Sequence, residues 1–93
     1  MNRTDVLSLA LKLTTQTREH EHGVFRDNAE AASKMISGFL GFEVHPWQVP
    51  VLLTLLKLAR ISQNRSNPDS WVDAAGYIAL AAELVDEADG KAD

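Results

Sequence analysis

The chain contains no cysteine, no long uninterrupted apolar run and no signal-like amino terminus. Without cysteine, disulfide bonds, thiolate metal sites and cysteine nucleophiles are excluded. The apolar runs are too short and too interrupted to span a bilayer, and residues 1–5 lack the charged and then apolar order of a signal peptide. We therefore expect a soluble cytoplasmic protein with no membrane partner.

Positive charge is also scarce. The 93 residues carry a formal net charge of -4, and the basic residues are scattered along the chain. Nucleic-acid-binding domains usually show a basic face, so this pattern disfavours DNA or RNA as a partner. The length suits one domain, small enough that association of several copies would add to its stability.

No segment alternates as a half-buried strand does, so the predicted fold class is all-α, a compact four-helix bundle. Apolar periodicity predicts helices over about 4–17 and 27–40, a third that starts near 46 or 50 and reaches 61, and a fourth over 68–87. Residues 1–87 then form one helical domain, and 88–93 an acidic, frayed tail.

Two of these helices carry specific packing predictions. In the second, the periodicity predicts that Ala32, Met35, Ile36 and Phe39 are buried. The third is apolar almost all the way round, which predicts that it is the central element. Its surplus apolar surface, together with the alanines and Gly76 of the fourth helix, predicts a homo-oligomer.

The fourth helix opens with two carboxylates. Asn67 and Pro68 are typical of an N-cap and a first helical position. Asp69 and Asp73 lie four residues apart and therefore share one helix face, where they would hold a divalent cation or meet a cationic partner. The helix dipole alone also favours acids in a first turn.

Lys57 and Arg60 belong to a narrow polar stripe on the apolar third helix. A short connection makes the third and fourth helices an antiparallel hairpin, so these cations should face Asp69 and Asp73. One interpretation is a set of ion pairs that fixes the hairpin register. The other is a pocket in which the carboxylates bind Mg²⁺ and the cations bind phosphate.

Other side chains also have two interpretations. Trp71 and Tyr77 would stack a nucleobase, or they would serve as core or interface anchors. Glu30 would add a carboxylate to the same site, or it would complement the dipole of the second helix. His20 and His22 would bind a transition metal, or they would lie solvated in a loop.

Three segments together resemble a family of small, uncharacterised domains carried mainly by bacteriophages and prophages. They are the polar loop from Arg18 through His22-Gly23 to Asn28, the pair Lys57 and Arg60, and the motif D-x-W-V-D-x-A-G-Y at 69–77. The resemblance covers about residues 5–84. The chain departs from the family where His22 replaces a tyrosine and Ala29 replaces a phenylalanine.

That family is in turn distantly similar to the MazG and dUTPase type of all-α nucleoside triphosphate pyrophosphohydrolases. The resemblance implies an oligomeric bundle and Mg²⁺-dependent release of pyrophosphate. It implies that Asp69 and Asp73 ligate Mg²⁺ and that Glu30 positions the attacking water, with His22 as a base contact or proton acceptor. The E-E-x-x-E and E-x-x-D motifs of those enzymes are missing here.

The sequence therefore leaves three functions open, and with them the question of catalysis. The first is a site for a nucleotide or phosphate ligand, of a degenerate pyrophosphohydrolase type, with Lys57 and Arg60 holding the phosphates. The second is a non-catalytic phage protein that binds and inhibits a host protein, in which Trp71 is an interface anchor and the charged residues lock the bundle. The third, a protein that sequesters a nucleotide without hydrolysing it, lies between the other two and needs the pocket but not the metal.

Overall fold

The computed structural model describes residues 1–17 and 24–90. These ranges contain four α-helices and no strand, which confirms the predicted all-α class. The helices are α1 (Arg3–Lys12), α2 (Phe25–Leu40), α3 (Gln48–Gln63) and α4 (Pro68–Ala88). Each of them is too short or too polar to cross a membrane.

The first helix is capped by Asn2 and begins at Arg3, close to the start near residue 4 that the sequence predicts. Asn2 accepts a hydrogen bond from the main-chain N–H of Asp5, and Asp5 accepts one from the main-chain N–H of Asn2. This reciprocal capping satisfies two otherwise unpaired donors. The helix continues beyond Lys12 as a π-helical turn, Leu13–Thr17. In that turn the hydroxyl of Thr14 donates to the carbonyl of Ala10 at 2.9 Å.

The predicted hairpin of α3 and α4 is confirmed. Pro50 stands in the first turn of α3, where a missing N–H costs no helical hydrogen bond. Asn67 caps α4 by accepting from the main-chain N–H of Asp69 at 3.0 Å, and Pro68 occupies the first helical position. The two helices pack along one another, while α1 packs on α4 and α2 packs on α3.

A buried apolar cluster joins three helices. Ala29 of α2, Val49 of α3 and Leu84 of α4 form it, and partly buried apolar side chains surround it: Phe25, Ala32, Ile36, Trp47 and Leu53. The helix α2 ends at Gly41, whose φ of 83° lies in the left-handed region that glycine adopts without strain.

The predicted buried face of α2 is partly wrong. Met35 is 74% exposed and Phe39 88% exposed, whereas the smaller Ala29 and Ser33 are buried. Small side chains on the inner face let the α2 backbone lie close to its neighbours. The larger apolar side chains, Met35 and Phe39, therefore lie on the solvent-facing side of α2.

The prediction that α3 is enclosed at the centre is also wrong. Its outer side exposes four leucines, Leu52, Leu55, Leu56 and Leu58. The longer α4 has more buried positions because it packs against both α1 and α3. At Gly76, α4 lies close to the π-helical turn that follows α1, since a Cβ there would lie 3.2 Å from the Cγ2 methyl of Thr14.

Candidate functional site

The functional candidates of the α3–α4 hairpin meet around one ion pair. Lys57 Nζ lies 2.9 Å from Asp73 Oδ2, and the two side chains are only 16% and 24% exposed. At this distance the contact is both a hydrogen bond and a salt bridge. It joins the second half of α3 to the second turn of α4, as the antiparallel arrangement requires.

A cleft of about 640 Å³ lies over this ion pair, and we call it the hairpin cleft. Besides Lys57 and Asp73, its charged lining consists of Arg60 and Asp69. Neither Arg60 nor Asp69 forms an ion pair with another described residue. The structure thus brings together the four charged residues that the sequence predicted to face one another. Arg60 and Asp69 are exposed and have no ion pair with a residue that the structure describes.

The amino-terminal end of α4 forms one wall of the hairpin cleft. Asn67 and Ser70 line it, and Ser70 is only 4% exposed. The Ser70 hydroxyl makes no hydrogen bond to another described residue. Sequence reasoning missed both side chains as site residues. The sequence did contain a signal for them, because Asn67 is at the N-cap of α4 and Ser70 is in the first turn. At these positions polar side chains lie beside the unpaired N–H donors of the helix end.

The carboxylates at this site are few. Asp69 and Asp73 are the acidic residues that line the hairpin cleft, and Asp73 is already paired with Lys57. Within residues 1–17 and 24–90, no three His, Asp or Glu side chains cluster closely enough to hold a metal ion. Any divalent cation here would therefore draw most of its oxygen ligands from water or from a bound phosphate.

The two predicted catalytic residues are not seen at this site. Glu30 lies in a different cleft, between α2 and the α2–α3 connection, with Lys34, Glu43 and His45. His22 lies outside the described residues, as do His20 and the rest of the predicted polar loop up to Gly23. Catalytic roles for Glu30 and His22 stay predictions.

The two aromatic candidates also lie apart from the charged four. Trp71 is 44% exposed and lines a separate cleft, the indole cleft, together with Arg3 and Arg65. Tyr77 is half-buried, one turn beyond Asp73 on α4, and lines neither cleft. A single small ligand in the hairpin cleft therefore has Lys57, Arg60, Asp69 and Asp73 around it, without the two rings.

Comparisons with known proteins give relatives in bacteriophages. The chain is 29% identical to the Gene 55 protein of Mycobacterium phage D29 over 82 residues, which cover 88% of the chain and 54% of that protein. It is also 29% identical to the Gene 55 protein of Mycobacterium phage L5 over 80 residues, covering 85% of the chain and 51% of that protein. The chain thus spans about half the length of these curated relatives.

No solved structure matches the chain. The profile of a family described as a domain of unknown function, DUF6378, matches residues 5–85 and so covers all four helices except their outermost ends. The chain therefore belongs to the DUF6378 family.

Proposed function

We propose that the hairpin cleft binds a phosphate group together with a divalent cation, Mg²⁺ by preference, and that the ligand is a nucleotide. The observation that carries this proposal is that Arg60 and Asp69, two exposed side chains without an ion pair to a described residue, line a cleft of about 640 Å³. A phosphate that carries a bound cation presents both signs of charge, so it would satisfy both residues at once. The nucleotide class comes from the distant resemblance to pyrophosphohydrolases.

Each side chain has a distinct role in this proposal. Arg60 binds phosphate oxygens through its fork of N–H donors, and Asp69 contributes an oxygen ligand to the cation. The Ser70 hydroxyl donates to a phosphate oxygen from the wall. The ion pair of Lys57 and Asp73 fixes the floor, since it holds α3 and α4 in one register.

Binding without hydrolysis fits the cleft better than catalysis does. Cleavage between phosphates with the help of metal ions needs several carboxylates to balance the metal charge and orient water. The hairpin cleft offers Asp69 and Asp73, of which one is paired, and Glu30 lines another cleft. We therefore propose a protein that binds and retains its ligand.

Thermal unfolding tests this function. A ligand that binds only the folded state raises the midpoint, so each ribonucleoside and deoxyribonucleoside triphosphate is added at millimolar concentration, with and without Mg²⁺. We expect a Mg²⁺-dependent rise with at least one nucleotide, and we expect Arg60→Gln and Asp69→Asn to abolish it. The matched controls, Lys34→Gln and Asp86→Asn, remove an exposed charge elsewhere and should keep the rise. No rise with any nucleotide would refute the proposal.

A second candidate is self-association through the exposed apolar side chains of α2 and α3. Phe39 and Phe42 are 88% and 64% exposed, so at about 200 Å² per ring they alone present roughly 300 Å², the size of the largest apolar patch on a typical monomer. Met35 and the four exposed leucines of α3 add further exposed apolar surface, and one partner buries roughly 800 Å² in a standard interface.

The charge distribution favours a second copy of the chain as the occupant. Residues 35–42 and 48–56 contain no Asp, Glu, Lys or Arg, although the chain as a whole carries a net charge of -4. Two copies can therefore bring these segments together without like-charge repulsion, which an acidic protein otherwise meets when it self-associates. We infer a homodimer through this face. The competing possibility is that a host protein covers the face, and the mass of the chain in solution distinguishes the two.

A further inference from the structure

The indole cleft is a second candidate site, and it goes beyond the proposed function. Its volume is about 370 Å³, and it lies where the first turn of α1 meets the α3–α4 connection and the first turn of α4. Its polar lining includes Arg3 and Arg65, and its aromatic lining is Trp71. It shares no lining residue with the hairpin cleft, so the two can be occupied or emptied independently.

The ring of Trp71 is held in one orientation. Its Nε1–H donates to the main-chain carbonyl of Arg65 at 2.9 Å, which satisfies the only polar group of the side chain. The ring is nevertheless 44% exposed. A fixed aromatic surface that borders a cleft loses little conformational entropy when a planar group stacks on it.

The charge of this cleft differs from that of the chain. Arg3 and Arg65 form no ion pair with another described residue, and no carboxylate of a described residue lines the cleft. The chain carries a net charge of -4, whereas the charged side chains that line this cleft are two exposed arginines beside one aromatic ring. An anion is attracted to such a site, and guanidinium groups bind phosphate oxygens well.

We propose that the indole cleft binds a nucleotide without a metal ion, with its base stacked on Trp71 and its phosphate held by Arg3 and Arg65. A nucleotide has both a planar base and a phosphate. The base matches the Trp71 ring, and the phosphate matches the two arginines. A free mononucleotide and the phosphorylated end of a single strand both supply this chemistry.

Tryptophan fluorescence tests the proposal directly. The chain has two tryptophans, so the wild type and Trp71→Phe are titrated in parallel, in the presence of EDTA, with each nucleoside monophosphate. We expect a base that stacks on the indole to quench the wild type and to leave Trp71→Phe unquenched. We expect Arg3→Gln and Arg65→Gln each to raise the Kd about tenfold. A 5′-phosphorylated tetranucleotide is titrated alongside. If it binds more tightly than the mononucleotide, the ligand is the end of a single strand, and if it binds more weakly, the ligand is a free mononucleotide.

The variants separate this site from a folding effect and from the hairpin cleft. Arg65→Gln retains the main-chain carbonyl that orients the indole, so it tests the charge with the ring in place. Arg60→Gln should leave the titration unchanged because Arg60 does not line the indole cleft. Absence of quenching, equal quenching in Trp71→Phe, or an unchanged Kd in both arginine variants would overturn the proposal. None of these outcomes depends on Mg²⁺ binding in the hairpin cleft.

Discussion

Lys57 Nζ and Asp73 Oδ2 lie 2.9 Å apart and connect α3 to α4 beneath the hairpin cleft. The contact is mostly shielded from water, so it fixes how the two helices lie side by side. Arg60 and Asp69, one turn from each partner, have no such contact with a described residue. The four charges thus divide into two that connect the helices of the hairpin and two that we propose contact a ligand.

Removal of one member of the ion pair should cost stability. Asp73→Asn or Lys57→Met leaves the opposite charge partly buried without its partner, and we expect each to lower the free energy of unfolding by about 1–3 kcal/mol. The double variant should lose less than the sum of the two, with a coupling of at least about 1 kcal/mol. Urea unfolding measures all four proteins, and strictly additive losses would contradict the structural role of the pair.

The close contact between Thr14 and Gly76 predicts that Gly76→Ala lowers stability in the wild type and raises it once the Thr14 methyl is removed. In the wild type, Gly76→Ala puts a methyl group 3.2 Å from Thr14 Cγ2, and the Thr14 hydroxyl bond to Ala10 holds that methyl in place. We expect a loss of about 1 kcal/mol from this overpacking. In a Thr14→Ser background the obstructing methyl is gone, and the same substitution should add about 0.5 kcal/mol through helix propensity. Equal effects in both backgrounds would refute the close contact.

The cap of α4 gives a third prediction. Asn67 accepts from the main-chain N–H of Asp69 at 3.0 Å, so Asn67→Ala leaves that donor without a partner. We expect a loss of about 1 kcal/mol in thermal or urea unfolding. Asn67→Asp is the matched control, because it keeps the acceptor and adds a charge that the helix dipole favours. A stability of Asn67→Ala equal to that of Asn67→Asp would show that the cap contributes nothing.

Self-association is tested by light scattering coupled to size exclusion across a range of protein concentrations. A homodimer through the α2 and α3 face predicts twice the chain mass for the wild type and the single-chain mass for Phe39→Glu. Leu11→Glu is the matched control: Leu11 is an apolar residue 64% exposed on α1, and the variant should remain dimeric. A monomeric wild type at all concentrations would contradict self-association and leave a host protein as the candidate for covering this face.

The sequence predicted the hairpin and its charged residues well because the signals there are local. A cap, a first-turn proline and a four-residue spacing of carboxylates determine where α4 starts and which way Asp69 and Asp73 point. A short connection then makes the neighbouring helix antiparallel, and Lys57 follows from its position in the stripe.

The sequence predicted α2 less well, because periodicity identifies an apolar face without identifying what covers it. Met35 and Phe39 share the spacing of core residues, yet they are exposed in the single chain. The burial of Ser33 was not predicted either. The side chain can be buried because its hydroxyl donates a hydrogen bond to the carbonyl of Glu30 within the same helix. The separation of Trp71 from the charged residues was also missed, although side chains two positions apart on a helix do not face each other.

Calorimetric titration of pyrophosphate into the protein, with and without Mg²⁺, tests the central proposal most directly. Pyrophosphate has no base to stack on Trp71, so it separates the hairpin cleft from the indole cleft. We predict binding that is at least about tenfold tighter with Mg²⁺ and that is lost in both Arg60→Gln and Asp69→Asn, but kept in Arg65→Gln. Binding that is indifferent to Mg²⁺ and to both hairpin substitutions, or no binding at all, would contradict it.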